Sequence, residues 1–229
     1  MEKLQPNRQR AKNAIILIYI VFILEIITLI SDYFQYDLLQ TFKNGGGVSM
    51  EAADANDARV QIIAIIYLIT FLISAITFIQ WFRRAYFNLH MKVNHLSHTE
   101  GWAAGSWFVP IISLYMPYNI MKELYMETKE LLTKKGLLDS ENLTTNSLGL
   151  WWTLWIINNI IGQVVWRYPG ETIDELIGGT VASMLGSVIG IVLALITVKV
   201  IKEYSDIEPL LNKINDEESI TTQITPKLN

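Results

Sequence analysis

Residues Gly101–Tyr125 read GWAAGSWFVPIISLYMPYNIMKELY, and the fold turns on whether this stretch crosses a membrane. No charge occurs from Gly101 to Met121, yet Pro110 and Pro117 interrupt the run, and Trp102 and Trp107 stud its front half. Each proline removes an amide donor and disrupts a helix whose backbone would otherwise be satisfied internally. Broken backbone at membrane depth survives only against protein or water, so a non-crossing re-entrant or interfacial segment is the physical expectation for 101–121.

Outward from that stretch, the chain reads as membrane anchoring. Of its 229 residues 51% are hydrophobic and only 17% charged, where a soluble domain carries roughly a quarter. Ala14–Ser31 is apolar for 18 residues, broken only by Glu25, and Val60–Phe82 runs 23 residues without a charge. Leu148–Trp166 and Ile177–Ile201 complete a set of spans, each near the ~20 apolar residues that cross a hydrocarbon core. The first run is too long for a signal peptide, and no small-x-small cleavage site follows it. The fold class expected is all-α membrane protein: four transmembrane helices, a proline-broken segment and a cytoplasmic amphipathic helix.

Between the spans the reading is of loops and one surface helix. Asp32–Arg59 reads as a polar loop hinged at Asn44-Gly45-Gly46-Gly47, its alanine-rich second half beginning the next helix early. Past Arg83 and Arg84 the second span is expected to continue into solvent through RAYFNLHMKV. Within 117–135, Met121, Leu124, Thr128, Leu131 and Leu132 recur at three- and four-residue spacing, with Pro117 in the first turn and Gly136 as the stop. Trp151, Trp152, Trp155 and Trp166 read as an aromatic belt. The division is a polar N-terminus (1–13), one membrane domain (14–201) and a polar tail (202–229).

The basic residues orient this arrangement. Of the 18 Lys and Arg, all but three fall in the N-terminus, Arg83–Lys92, Lys122–Lys135 and the stretch from Lys199 onward. Those four segments share a side only if the central stretch does not cross. The positive-inside rule then places both termini in the cytoplasm.

Several functions are excluded or disfavoured by composition. The chain has no cysteine, which removes disulfides, thiolate catalysis and cysteine-ligated metals. No basic cluster exceeds two adjacent residues and the pI is about 5.4, so no nucleic-acid partner is expected. His90, His95 and His98 lie close in sequence with Glu100 following, but 90 and 95 face apart on a helix and meet no metal-ligand spacing. No nucleophile–base pair, phosphate loop or paired-carboxylate arrangement is present, so no reaction, metal or cofactor is expected.

The residues that could carry function lie inside the spans. Glu25 is the ionisable residue deep in a span, and such acids are functional candidates because each costs about 2.5–3.5 kcal/mol on insertion scales. Asn159 and Gln163, four apart on one helix face, and Thr180 and Ser183 lie at comparable depth, with Arg167 able to reach inward. This predicts either a polar pocket open to the outside, for a cation, proton or small polar solute, or plain interhelical hydrogen bonding. Gly179-x-x-x-Ser183 and Gly186-x-x-x-Gly190 predict close helix packing, within the unit or at a homodimer seam. Arg83 and Arg84 read as a stop-transfer anchor, or more sharply as a lipid-headgroup site.

One further pattern runs W-F-x-P, a polar residue three on, R-P-Y, and a glutamate five after the tyrosine. Here it falls on Trp107, Phe108, Pro110, Ser113, Pro117, Tyr118 and Glu123, preceded by Trp81-Phe82-Arg83-Arg84-Ala85 with Asn88. It resembles a bacterial multi-pass membrane family catalogued as a domain of unknown function, number 4328, over roughly Val60 to the end of the fourth span. Ser113 stands where asparagine is usual and Met116 where an arginine precedes Pro-Tyr, so any anion site that arginine makes in relatives is missing here. The resemblance implies a membrane-embedded fold with an even number of spans, in a bacterial inner membrane, and implies no activity. The leading functional expectation is a non-enzymatic module binding lipids or partner proteins at the cytoplasmic face. The runner-up is an oligomeric small-solute or ion pathway around Glu25, and a lipid-acting membrane enzyme stands third. The expected partners are the lipid bilayer and a second copy or membrane partner protein.

Overall fold

Several helices in this chain begin or end where a capping side chain or a glycine turn satisfies groups that a helix terminus leaves unpaired. The computed structural model describes residues 4–139, 142–167 and 170–214. The polar tail beyond residue 214 and the side chain of Trp166 lie outside the described residues. In order along the chain come α1 (Arg8–Lys43), α2 (Met50–His90), α3 (Glu100–Gly105), a 3-10 turn (Ile112–Leu114), α4 (Met116–Lys134), α5 (Asn146–Arg167) and α6 (Ile173–Ile207). Four of the described helices, α1, α2, α5 and α6 with its continuation to Ile214, are long and apolar enough to cross a membrane.

Helix α1 does not stop at Ser31. It carries Asp32 and Asp37 on to Lys43, because its polar side chains there find partners: Asp32 hydrogen-bonds Ser183, and Ser31 takes two bonds from Arg59. The loop expected over Asp32–Arg59 therefore shrinks to 44–49. Gly45, at φ +79°, turns the chain where other residues would be strained. Ser49 Oγ then accepts the Ala52 amide at 3.1 Å and starts α2. Before α6, Thr172 and Glu175 bond each other's amides, a reciprocal capping box. At the end of α4, Gly136 (φ +67°) and the bond from Leu137 N–H to Leu132 O, 2.9 Å, close the helix in a Schellman turn.

The helices are longer than a bilayer requires. The 41 residues of α2 extend about 60 Å at roughly 1.5 Å per residue, against about 30 Å of hydrocarbon. The surplus builds a second core, so what reads in sequence as one membrane domain forms two compact units. One comprises Ile15–Ala75 and Leu150–Val198; the other comprises Met1–Ala14, Ile76–Gly149 and Lys199–Asn229.

The first is a four-helix unit. Ile62, Ile66, Ile69, Leu185 and Val188 are exposed on it, a surface that suits lipid and not water. Its interior admits tryptophan: Trp151 and Trp152 are buried, and Trp151 Nε1 donates to Thr197 Oγ1 at 3.1 Å. Two members of the expected aromatic belt are thus core residues, because the indole N–H has a hydroxyl to bond inside.

The second is an aromatic unit. Trp81, Phe82, Tyr86 and Leu89 of α2 are fully buried, with Ile120, Met121, Leu124 and Tyr125 of α4 and Tyr204 of α6. Trp81 and Tyr125 both pack on the Tyr204 ring, and the Tyr125 hydroxyl donates to Val200 O at 2.6 Å. The end of α2, expected in solvent, is core: its buried apolar positions 81, 82, 85, 86 and 89 keep helical spacing on one face, and Val93 just beyond it is buried too.

The central stretch forms no single helix. After α3 and Pro110, the Ile112 amide bonds Pro110 O at 2.8 Å around Ile111, whose φ of +68° and ψ of −51° make a strained γ-turn. Pro117 then sits in the first turn of α4, where its missing amide costs nothing.

A buried polar triad ties the ends of the aromatic unit. Asn88, 1% exposed, bonds both backbone groups of Gln5 and donates to Glu208 Oε1 at 2.7 Å, while Asn7 donates to both Glu208 oxygens. Replacing Asn88→Leu removes three bonds at similar volume and leaves the buried Glu208 carboxyl to Asn7 alone. It should cost about 3 kcal/mol or more, read as a large drop in the unfolding midpoint of detergent-solubilised protein. The exposed Asn94→Leu control should leave the midpoint unchanged.

Candidate functional site

Glu25 and Asp32 lie seven residues apart on α1, hence on one helix face with Thr28 between them. All three border a cavity of about 510 Å3 in the four-helix unit. Ser31 joins them on the α1 wall, and α6 contributes Ser183, Gly186 and Ser187. The facing walls are mostly apolar: Val60, Ile63 and Ala64 from α2, and Ile161, Gly162 and Val165 from α5, with Tyr67 and Asn158 as their polar members.

The acids are held in different ways. Glu25 is 5% exposed. Tyr67 O–H donates to its Oε1 at 2.6 Å, and the Ser187 hydroxyl bonds it as well. Its carboxyl lies against the bare backbone of Gly190, where a Cβ would sit 2.6 Å from the Glu25 carboxyl carbon. Asp32 is 6% exposed and hydrogen-bonds Ser183, but its Oδ2 has no partner, and neither does the buried Thr28 Oγ1. The nearest guanidinium does not fill that gap. Arg59 directs three of its five N–H donors to Ser31 Oγ (3.1 Å), Ser31 O (3.1 Å) and Asn56 Oδ1 (2.6 Å). Two carboxyls and two unpaired oxygens thus border the same cavity as the apolar side chains of α2 and α5.

The structure brings only part of the expected polar cluster together. Glu25 and Ser183 line the cavity. Asn159 is exposed, donating to Trp155 O at 2.8 Å, and its neighbour Asn158 takes the inward position. Gln163 and Arg167 are exposed, and Thr180 bonds Gln35 at 3.1 Å away from the lining. Tyr67, Asp32 and Ser187 went unnoticed in the sequence. The 25–28–32 spacing would have revealed Asp32 had α1 been taken past Ser31; nothing in sequence marks Tyr67. The small residues of α6 do different jobs: Gly186 lets Ile161 of α5 approach, a Cβ there lying 3.3 Å from its side chain, whereas Gly190 makes room for Glu25. Gly179 is half-buried on the same helix.

The sequence pattern around 107–123 builds the aromatic unit. Trp107 bonds Ala103 O at 3.1 Å and meets the Phe78 ring edge-on, Pro117 is buried, and Ser113 N–H closes the turn on Val109 O. Tyr118 and Met116 are half-buried, while Phe108 and Pro110 are exposed. Glu123 accepts the Tyr86 hydroxyl and the Ser97 amide. Burial works to raise its pKa, but those bonds and nearby His98 outweigh it and hold the carboxyl below the usual 4.5. Its support for the fold is present above the glutamate range and is lost as pH falls through it. Arg83 pairs with Glu100 at 2.9 Å and Arg84 lies over the Phe87 ring. The histidines diverge: His90 meets His98 O, and His95 meets Glu127.

A family model described as "Domain of unknown function (DUF4328)" matches residues 44–206. The chain belongs to that family. No curated protein and no solved structure matches it. The family region takes in Tyr67, Asn158, Ser183, Ser187 and Gly190, whereas the α1 wall with Glu25 and Asp32 precedes it.

Gly190→Ala should destabilise the chain by about 1–3 kcal/mol through overpacking against Glu25. In a Glu25→Ala background the same change should cost almost nothing, a coupling above about 1 kcal/mol in a double-mutant cycle. Equal costs in both backgrounds would show that the two residues do not meet.

Proposed function

We propose that this chain is a bacterial inner-membrane protein, both termini cytoplasmic, whose four-helix unit binds a small polar solute as the recognition step of an oligomeric solute or ion pathway. The observation that supports this reading is the cavity holding Glu25 and Asp32, with acceptors that no protein group satisfies. Polar side chains that only glued helices together would be paired with one another. Intramembrane acids facing a cavity mark solute and ion sites in membrane proteins generally. The cavity favours this reading over the module at the cytoplasmic face that the sequence put first, and it assigns the chain no reaction.

A cytoplasmic-face role keeps one observation of its own. Phe108 and Ile111 are 73% and 75% exposed around the strained turn, with Leu114 and Tyr115 exposed beside them. We assign that apolar rim to the bilayer interface, as a segment that inserts without crossing.

Because the chain has no cysteine, access to the cavity can be read directly. A Ser187→Cys variant in proteoliposomes should react with a small water-soluble methanethiosulfonate at least about tenfold faster than Val188→Cys on the lipid-facing side, since only a wetted thiol ionises. Equal rates at the two positions would refute a solute-accessible cavity.

A further inference from the structure

The reading of the cavity as a solute site leaves the solute's chemistry open, and the lining narrows it. Resting on that reading, we infer that the site takes a lipophilic primary ammonium ion, a protonated amine on a small alkyl or aryl body. Charge comes first. Glu25 and Asp32 bring two carboxyls to the cavity, and the one guanidinium acting on them, that of Arg59 near Asp32, balances no more than one, so an excess of negative charge remains. A cation entering the cavity offsets the excess; an anion would add to it.

Hydrogen bonding comes second. Asp32 Oδ2 and Thr28 Oγ1 are buried, one helical turn apart, and without partners. A primary ammonium carries three N–H donors and no acceptor, so it can satisfy both oxygens at once. A quaternary ammonium has no N–H and would leave them stranded.

Size and shape come third. A cavity of about 510 Å3 falls in the roughly 300–1,000 Å3 range of small-molecule sites. The walls of α2 and α5 opposite the acids are apolar and give a dehydrated metal ion no oxygen shell there, but they suit a hydrocarbon body. The ammonium head lies at Asp32 and Thr28, the body lies against Ile63 and Ile161, and Glu25 adds its charge to the same space.

The test uses full-length protein in nanodiscs, with calorimetric titration of hexylammonium, hexanol, hexyltrimethylammonium and potassium chloride. Hexylammonium should bind about tenfold or more tighter than hexanol and hexyltrimethylammonium, as loss of a charge-assisted bond implies. Asp32→Asn should weaken hexylammonium by a similar factor and leave hexanol unchanged. The ranking among ligands is read on the wild-type chain, so it stands whether or not the variant folds. Equal binding of hexanol would overturn the charge requirement, equal binding of hexyltrimethylammonium the N–H requirement, and full displacement by potassium the organic body. Should no probe bind while the Ser187→Cys variant is still labelled rapidly, the ammonium assignment falls and the solute site stands. Should labelling fail too, both fall.

Discussion

A buried carboxyl group is costly unless the protein brings hydrogen-bond partners to it, and this requirement organises the four-helix unit from Glu25 outward. Tyr67 of α2 and Ser187 of α6 supply hydroxyls, and Gly190 supplies space. Three helices are thereby tied to one side chain. A side chain at Gly190 would push the carboxyl away from its donors, so the glycine serves the hydrogen bonds as much as the packing of helix on helix.

The aromatic unit follows the same rule with a different cast. Glu208 is buried and bonded by Asn7 and Asn88, and Asn88 also holds the backbone of Gln5. Residues far apart in sequence are thus joined by one polar network, in which both Glu208 oxygens and the Asn88 amide are bonded while Asn7 Oδ1 is not. Such a network fixes a unique arrangement because every alternative leaves a buried group unpaired. The rings of Trp81, Tyr125 and Tyr204 fill the space around it.

The spans were legible in the sequence because lipid leaves the backbone one economical choice, and long charge-free runs betray it. Helix limits were less legible. Asp32 looked like a loop residue because its hydrogen-bond partner, Ser183, comes from elsewhere in the chain. The second core was hidden by Arg83 and Arg84, which read as a terminus although Tyr86 and Leu89 continue the apolar face beyond them. For the site, Glu25 announced itself as an acid in a span. Choosing between Asn158 and Asn159 needed the rotation of α5 about its axis, which a helix apolar nearly all round does not reveal. The central stretch was marked as broken by its prolines, but the left-handed Ile111 has no sequence signal, since isoleucine is among the residues least suited to that backbone.

Whether the cavity is a defect or a site can be argued from what keeps it open. Helix interiors in membranes gain their stability from contact, so an unfilled volume forfeits dispersion energy at every wall. Exchanging Gly162 or Ala64 for a larger apolar residue would recover some of it, and no backbone constraint forbids this: neither has a positive φ. The chain instead lines the space with small residues on three helices and places unpaired oxygens in it. Each unpaired buried acceptor costs about 1–3 kcal/mol, and the two together are a large fraction of the margin by which a domain stays folded. An occupant that donated to those oxygens would offset a cost of that size on binding.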